Sequence, residues 1–149
     1  MADLVTTISE VVTLNGSLRG SSNSVTTTGI VDVMERIVTC TQAVTTTIAV
    51  FAALPSTSPG AIDVDRTRYI RVTNLDTVNN IELAVVTTTT NYQVTITGGN
   101  SHILSIGSAA AIGETDTSPA FSTLEDITSL QVQPVTANDA QVELFVGLV

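Results

Sequence analysis

Two side chains in this sequence could serve as nucleophile or base near neutral pH. They are Cys40, in RIVTC, and His102, in NSHILSIG, each the single residue of its type. Paired, they could carry out acyl transfer, the imidazole taking the thiol proton. They stand far apart in the chain, so only tertiary proximity could join them, and a triad would also need an orienting acid. Ser and Thr are too abundant for any one hydroxyl to stand out as a nucleophile. No GxSxG elbow occurs, and GGNS (98–101) lacks a strand–elbow–helix context. Cys40 reads better as a small buried hydrophobe, and His102 as a partly buried or edge residue. No catalytic residue is assigned, and the chain is read as a non-enzyme.

Metal and phosphate chemistry fares no better. Zinc needs several Cys or His ligands, and the chain has one of each. Calcium needs converging oxygens, which Asp63 and Asp65 in DVD or Asp76, Asn79 and Asn80 in DTVNN could begin to supply. Neither stretch matches an EF-hand loop, and turn chemistry accounts for both. The same holds for GETDTS (113–118). A phosphate-cradling GxxxxGK[ST] is ruled out because the chain has no Lys. Glu114 with Asp116, and Glu125 with Asp126, read as solvated loop or helix-end charges. The expectation is no metal and no cofactor.

Charge narrows the partners. Five Arg face 14 acidic groups, a net charge of −9. Only Arg66, Arg68 and Arg71 cluster, in DVDRTRYIR, with Asp63 and Asp65 beside them. A phosphate backbone requires grouped cations, so nucleic acid is not an expected partner. An acidic surface suits solubility or docking on a basic protein patch. MADLVTTISEVV lacks a basic n-region and a long apolar segment, so no signal peptide is expected. TTTIAVFAAL (45–54) is too short to span a bilayer, and no membrane partner is expected. The simplest compartment is the cytoplasm in which the chain is made, or a particle assembled there.

The elements that must position these residues are strands. Thr occupies 26 of 149 positions and Val is also abundant. Both are β-branched and favour strands. Trp is absent and aromatics make up 3%, so the core must be built from Val, Ile, Leu and Ala. Alternation of period two marks Ile81, Leu83 and Val85; Tyr92, Val94 and Ile96; His102, Leu104 and Ile106; Leu130 and Val132; and Val142, Leu144, Val146 and Leu148. Turn residues fall about every ten positions, at Asn15-Gly16, NLDTVNN, Gly98-Gly99-Asn100 and TANDA, and read as hairpin connections. VTTTTNYQVTITGG (86–99) reads as part of a hairpin, with Thr87 to Asn91 as its connection.

Residues 29–40 also fit a helical period, through Ile30, Val33, Met34, Ile37 and Val38, although strand is favoured from about Arg36. RIVTCTQAVTTTIAVF reads as two strands around a turn at Gln42. STLEDI (122–127) resembles a capping box and a short helix. Two long surface loops are expected, at 55–65 and 108–121. The predicted fold is all-β: one antiparallel β-sandwich, jelly-roll-like, with little helix. Residues 1–24 form an arm or edge strand, and 25–149 form the sandwich.

Phe145 and Val149 lie on the face of the last strand opposite its core residues. That strand is either buried on both sides or meets a neighbouring subunit. AVTTTIAVF reads as an edge strand open to pairing with another chain. Phe145, Val149, Ile48 and Val50 are therefore the expected subunit-interface residues, in a homo-oligomer.

RYIRVTNLDTVNNIELAVVTTTTNYQVTITGGNSHILSIG resembles small virion structural proteins of tailed bacteriophages. The likeness lies in an Arg/Tyr-led strand ending in TNLD, an Asn-rich turn, a further strand, and a glycine-marked turn before an apolar strand. RIVTCTQAVTTTIAVF is similar to their first-half hairpin. The resemblance covers roughly residues 30–149 and is carried by turns and alternation. It implies a β-sandwich or jelly roll and a role in capsid decoration or cement. The major capsid protein or other virion proteins would be the partners, in a virion assembled in the host cytoplasm. A tail-tube, neck or adaptor component is the alternative within that class. An extracellular fibre or adhesin module is an alternative outside it, opposed by the missing signal peptide. A sugar- or ligand-binding domain is opposed by the shortage of aromatics.

Overall fold

The computed structural model describes residues 1–107 and 124–149. Strands dominate, as β-branched alternation requires: β1 (Ala2–Ser9), β2 (Val12–Leu14), β3 (Ser17–Arg19), β4 (Ser22–Ile30), β5 (Asp32–Cys40), β6 (Thr46–Ala52), β7 (Ile62–Asp63), β8 (Thr67–Asn74), β9 (Ile81–Thr87), β10 (Asn91–Ile96), β11 (Ser101–Leu104), β12 (Ile127–Pro134) and β13 (Ala140–Leu148). The one helical element among the described residues is a 3-10 turn at Pro55–Thr57. Among the described residues, no helix is long and apolar enough to cross a membrane.

Two sheets form the body. One has the order β11-β8-β13-β5, and the other β10-β9-β12-β6-β7. With β7 set aside, the eight body strands counted along the chain run 1-8-3-6 and 2-7-4-5, which is jelly-roll connectivity. All pairs in the two sheets are antiparallel except β6 with β7. Between the sheets lie Ile70, Val72, Val142, Leu144 and Val146 from one side and Ile48, Ile81, Leu83, Val85, Leu130 and Val132 from the other, all at most 1% exposed. Each such side chain stabilises the fold by about 1.5–3 kcal/mol through burial. Aliphatic side chains fill this layer almost alone, in keeping with the few aromatics.

Four features differ from the expectations. The segment 29–40 is not helical: Asp32–Cys40 is a strand along its whole length, paired residue for residue with β13. The turns at 41–45, 75–80, 97–100 and 135–139 are not hairpins. Each carries the chain from one sheet to the other. A sheet-to-sheet corner uses the same Asn, Asp and Gly conformations as a hairpin, so local turn chemistry does not separate them. Within the body, the connection at 88–90 is the true hairpin, with Asn91 opposite Val86. The described part of STLEDI is not helical: Leu124 and Glu125 have no regular structure and Ile127 opens β12; Ser122 and Thr123 lie outside the described residues, as does the expected loop at 108–121. Lastly, β11 stops at Leu104, so Ile106 lies past the strand and is exposed.

The corner end of the sandwich is tied by side chains. Asn74 is fully buried and donates from Nδ2 to the carbonyls of Asn79 (2.8 Å) and Ile96 (3.1 Å). Its Oδ1 accepts the amide of Asp76 at 3.1 Å. The Asp139 carboxylate accepts the amide of Gln42, and Thr136 donates to Asn79. β5 runs from Asp32, at the opposite end, toward these corners.

Candidate interaction surface: the ribbon and the face beneath it

Residues 2–30 stand apart from the body as a two-stranded ribbon. β1 pairs with β4 from Ala2↔Ile30 to Ser9↔Ser22, and β2 with β3 extends the tip. The tip closes on Asn15 and Gly16, with φ of 50° and 79°, as the hairpin motif predicts for a two-residue turn. A register shift lies between Ala2 and Leu4, opposite Gly29, whose φ is 77°. An extra residue in this positive-φ conformation bends the ribbon where it meets the body.

Alternation gives the ribbon two faces. Leu4, Thr6 and Ile8 share one with Thr27, Val25 and Asn23, their cross-strand neighbours. Val5, Thr7 and Ser9 share the other with Thr26, Ser24 and Ser22, where Thr7 and Ser24 hydroxyls bond at 2.7 Å. At the base, the Leu4 face is half-buried against the four-stranded sheet. Farther out, Ile8 is 52% and Val25 56% exposed, and Leu14 and Leu18 at the tip are also exposed.

The sheet face beneath the ribbon carries a compact polar and aromatic cluster. Tyr69 and Phe145 meet edge-on, with ring centroids 5.9 Å apart. The Arg71 guanidinium lies 5.8 Å from the Phe145 ring centre, a cation–π contact. Arg71 also pairs with Glu143 and donates to Thr73, whose hydroxyl bonds that of Ser101. Residues 4–7 together with Tyr69, Arg71 and Phe145 line a gap of about 260 Å³. Along the sheet edge, Val33 and Ile37 of β5 point outward from the same face.

The expected interface residues separate. Phe145 lies on this outer face, half-buried beside the ribbon gap. Val149 follows β13, its amide bonding Arg66 and its carbonyl accepting the Arg66 guanidinium. Val50 faces outward from the five-stranded sheet at 41% exposure. Ile48 does not share that face; it is 0% exposed in the core and unavailable to a partner. The cause is a β-bulge. Leu130 pairs with Ala49 but Gln131 pairs with Thr47, so Ile48 is the extra residue and the alternation changes phase. Arg36 of β5 reaches across and bonds the Ile48 carbonyl at 2.8 Å.

The residues that could have done chemistry are held apart. Cys40 and His102 sit on opposite edge strands of one sheet, β5 and β11, three strand spacings or roughly 14 Å apart across the sheet, and the register sets His102 level with Arg36, about four residues further along. Burial pushes the Cys40 thiol pKa up, with a Thr46 hydrogen bond opposing it. Burial also lowers the pKa of His102, whose Nε2 lies 3.2 Å from the Tyr92 hydroxyl. Asp76 serves its own turn, accepting the amides of Val78 and Asn79 and the Asn79 side chain, which hold its pKa below the usual aspartate value. Asp63 accepts the amide of Arg66. Glu125 is no free loop charge: it accepts the Thr89 amide and hydroxyl and clamps the 88–90 hairpin. Arg68 bonds the carbonyls of Asp65 and Thr67, so the three clustered cations all face internal acceptors. Among the described residues, no three His, Cys, Asp or Glu converge as a metal site, and no buried side-chain polar atom lacks a partner. Glu114 and Asp116 lie outside the described residues.

The Tyr69–Phe145–Arg71–Glu143 cluster was not readable in the sequence, because its members meet across strands and share no local motif. Comparison with protein-family models, with curated proteins and with solved structures gives no match. The fold and this surface therefore define the protein as a jelly-roll β-sandwich carrying an N-terminal β-ribbon.

Proposed function

We propose that this chain is a non-enzymatic virion structural protein, seated on the capsid exterior as a decoration or cement subunit. The observation that carries the reading is the ribbon of residues 2–30, which leaves the body and presents large apolar side chains to solvent. A monomer rarely exposes so much apolar surface without a partner. A cement subunit has to reach its neighbours and cover area, and a ribbon provides reach that a cleft does not. The jelly roll supports the reading, since shell proteins commonly use it. So does the resemblance of residues 30–149 to phage virion proteins. Its partner would be the major capsid protein, with the acidic body meeting a basic patch.

The test is fractionation of particles from a culture that expresses the chain, followed by gold-labelled antibody against it. The reading expects label spread over the shell in stoichiometric amounts. Label confined to the neck or tail overturns the capsid placement, and absence from particles overturns the virion role.

A further inference from the structure

We infer that Asn15 is a site of spontaneous self-modification: the Gly16 amide closes on its carboxamide, ammonia leaves, and water opens the ring to aspartate and isoaspartate. The inference stands on the chemistry of the ribbon tip and does not depend on the proposed function. Eight asparagines occur in the chain, and only Asn15 precedes a glycine. Glycine has no Cβ to shield its nitrogen, and it rotates through either sign of φ. A Cβ at Gly16 would meet nothing within 4 Å, so the turn has room to rearrange. Three other carboxamides are tied down. Asn74 donates to two carbonyls, Asn79 donates to Asp76 at 2.8 Å, and Asn100 donates to Thr97 at 2.6 Å and to Gly98 at 3.3 Å. Asn23, Asn80, Asn91 and Asn138 are followed by Ser, Ile, Tyr and Asp, whose side chains crowd the attacking nitrogen. Among the described residues, nothing bonds the Asn15 side chain.

Ring closure needs the turn to open. Asn15, at φ 50°, is left-handed. In that conformation ψ is about +47°, which turns the next nitrogen away from the residue's own side chain. The tip opens readily. Val12–Leu14 and Ser17–Arg19 are joined by three residue pairs, and every residue from 7 to 26 is exposed, so no packing on the body resists fraying. At the open tip, the Gly16 nitrogen gives its proton to hydroxide and attacks Asn15 Cγ. The N–Cγ bond forms, the Cγ–Nδ2 bond breaks, and Nδ2 takes a proton from water and leaves as ammonia. Water then adds to one of the two imide carbonyls and breaks its bond to the Gly16 nitrogen, which regains a proton. Opening at Cγ gives aspartate, and opening at the main-chain carbonyl gives isoaspartate. Either product takes the net charge from −9 to −10. Isoaspartate also adds a methylene to the main chain, which a two-residue turn does not accommodate. Leu14 and Ser17 then lose their pairing. Below the tip, Ser9 still faces Ser22 and the Glu10 amide still bonds the Ser21 carbonyl, so the change stays local.

The experiment uses the full folded chain, incubated in heavy-oxygen water at mildly acidic and at mildly alkaline pH. Peptide mass spectrometry follows each asparagine over time, and enzymatic methylation of isoaspartate labels the rearranged product. The control is Asn15→Gly: Gly-Gly suits the same turn and has no carboxamide. Thermal melting checks its fold. The inference expects Asn15 to exchange its nitrogen for one heavy oxygen at least about tenfold faster than Asn23, Asn100 or Asn138, because the tip opens most readily. It expects the rate to rise in alkali, where more of the Gly16 amide loses its proton. Methylation appears in the aged wild type and stays at background in Asn15→Gly. In the isoaspartyl chain, the NMR contact between Leu14 and Ser17 disappears while that between Ser9 and Ser22 remains. Equal rates at Asn15 and the other asparagines, a rate indifferent to pH, or equal methylation of the Asn15→Gly chain overturns the inference. A Leu14–Ser17 contact that persists in the isoaspartyl chain overturns its structural consequence.

Discussion

Leu4 rests on Gly147: its Cδ2 lies 3.4 Å from the point where a Cβ on residue 147 would stand. The ribbon is seated on the body at this contact, through a side chain of β1 and a missing side chain on β13. Gly147→Ala adds a methyl at ordinary contact distance and is expected to cost under about 1 kcal/mol. Gly147→Val adds bulk where Leu4 already sits and is expected to lift the ribbon base. Amide hydrogen exchange checks this: β1 amides exchange faster in the Val variant while β9 and β12 keep their protection. Equal loosening of all strands would show that the ribbon is integral to the core.

Asn74 holds the corner end together, with its donors on the carbonyls of Asn79 and Ile96 and its acceptor on the amide of Asp76. Asn74→Ala leaves those groups without a partner in a buried place and is expected to destabilise by about 2–4 kcal/mol. Denaturant unfolding reads the loss. A change below about 1 kcal/mol would mean that water replaces the amide.

The bulge in β6 makes two neighbours in the alternation unequal. Ile48→Ala is expected to cost about 2–5 kcal/mol, as for any large-to-small change in a packed core. Val50→Ala, on the exposed face, is expected to fall within about 0.5 kcal/mol. Equal costs would place both residues on one face and remove the bulge.

These residues also mark how far the sequence could be read. Strand positions and the in/out pattern of β9, β10, β12 and β13 followed from alternation, because each strand has one face on the core. The largely aliphatic interior followed from composition. What could not be read depends on contacts between distant segments. Ile48 and Val50 looked equivalent because a bulge is set by the partner strand Leu130–Val132, not by TTIAVF itself. The corner at Asp76 looked like a hairpin because its Asx geometry serves either connection. Phe145 showed as an outward apolar residue, but Tyr69 and Arg71, which surround it, lie on another strand. The helical period in 29–40 arose because β5 is an edge strand with apolar residues on both faces, Met34 and Val38 inward and Val33 and Ile37 outward.

His102 gives a pH signature. Burial holds its folded pKa below the ordinary 6.5. The folded state therefore binds fewer protons than the unfolded state between those two values. Stability from this site is complete above about pH 6.5 and is lost as pH falls from there toward the folded pKa. His102→Gln, which does not titrate, is expected to flatten that part of the stability curve. Thermal melts from pH 7.5 down to pH 5, in wild type and variant, compare the two slopes. Identical slopes would remove His102 as the cause.

The most direct test of the central claim shortens the ribbon without touching the body. Replacing residues 10–21 by Asn-Gly joins Ser9 to Ser22, which already face each other across the ribbon, through a two-residue turn. Particles are assembled with the wild type or the shortened chain, and occupancy is measured by quantitative gel analysis alongside the melting temperature of each free chain. The account predicts at least a tenfold loss of occupancy with the melting temperature unchanged within about 2 °C. Full occupancy by the shortened chain would contradict it.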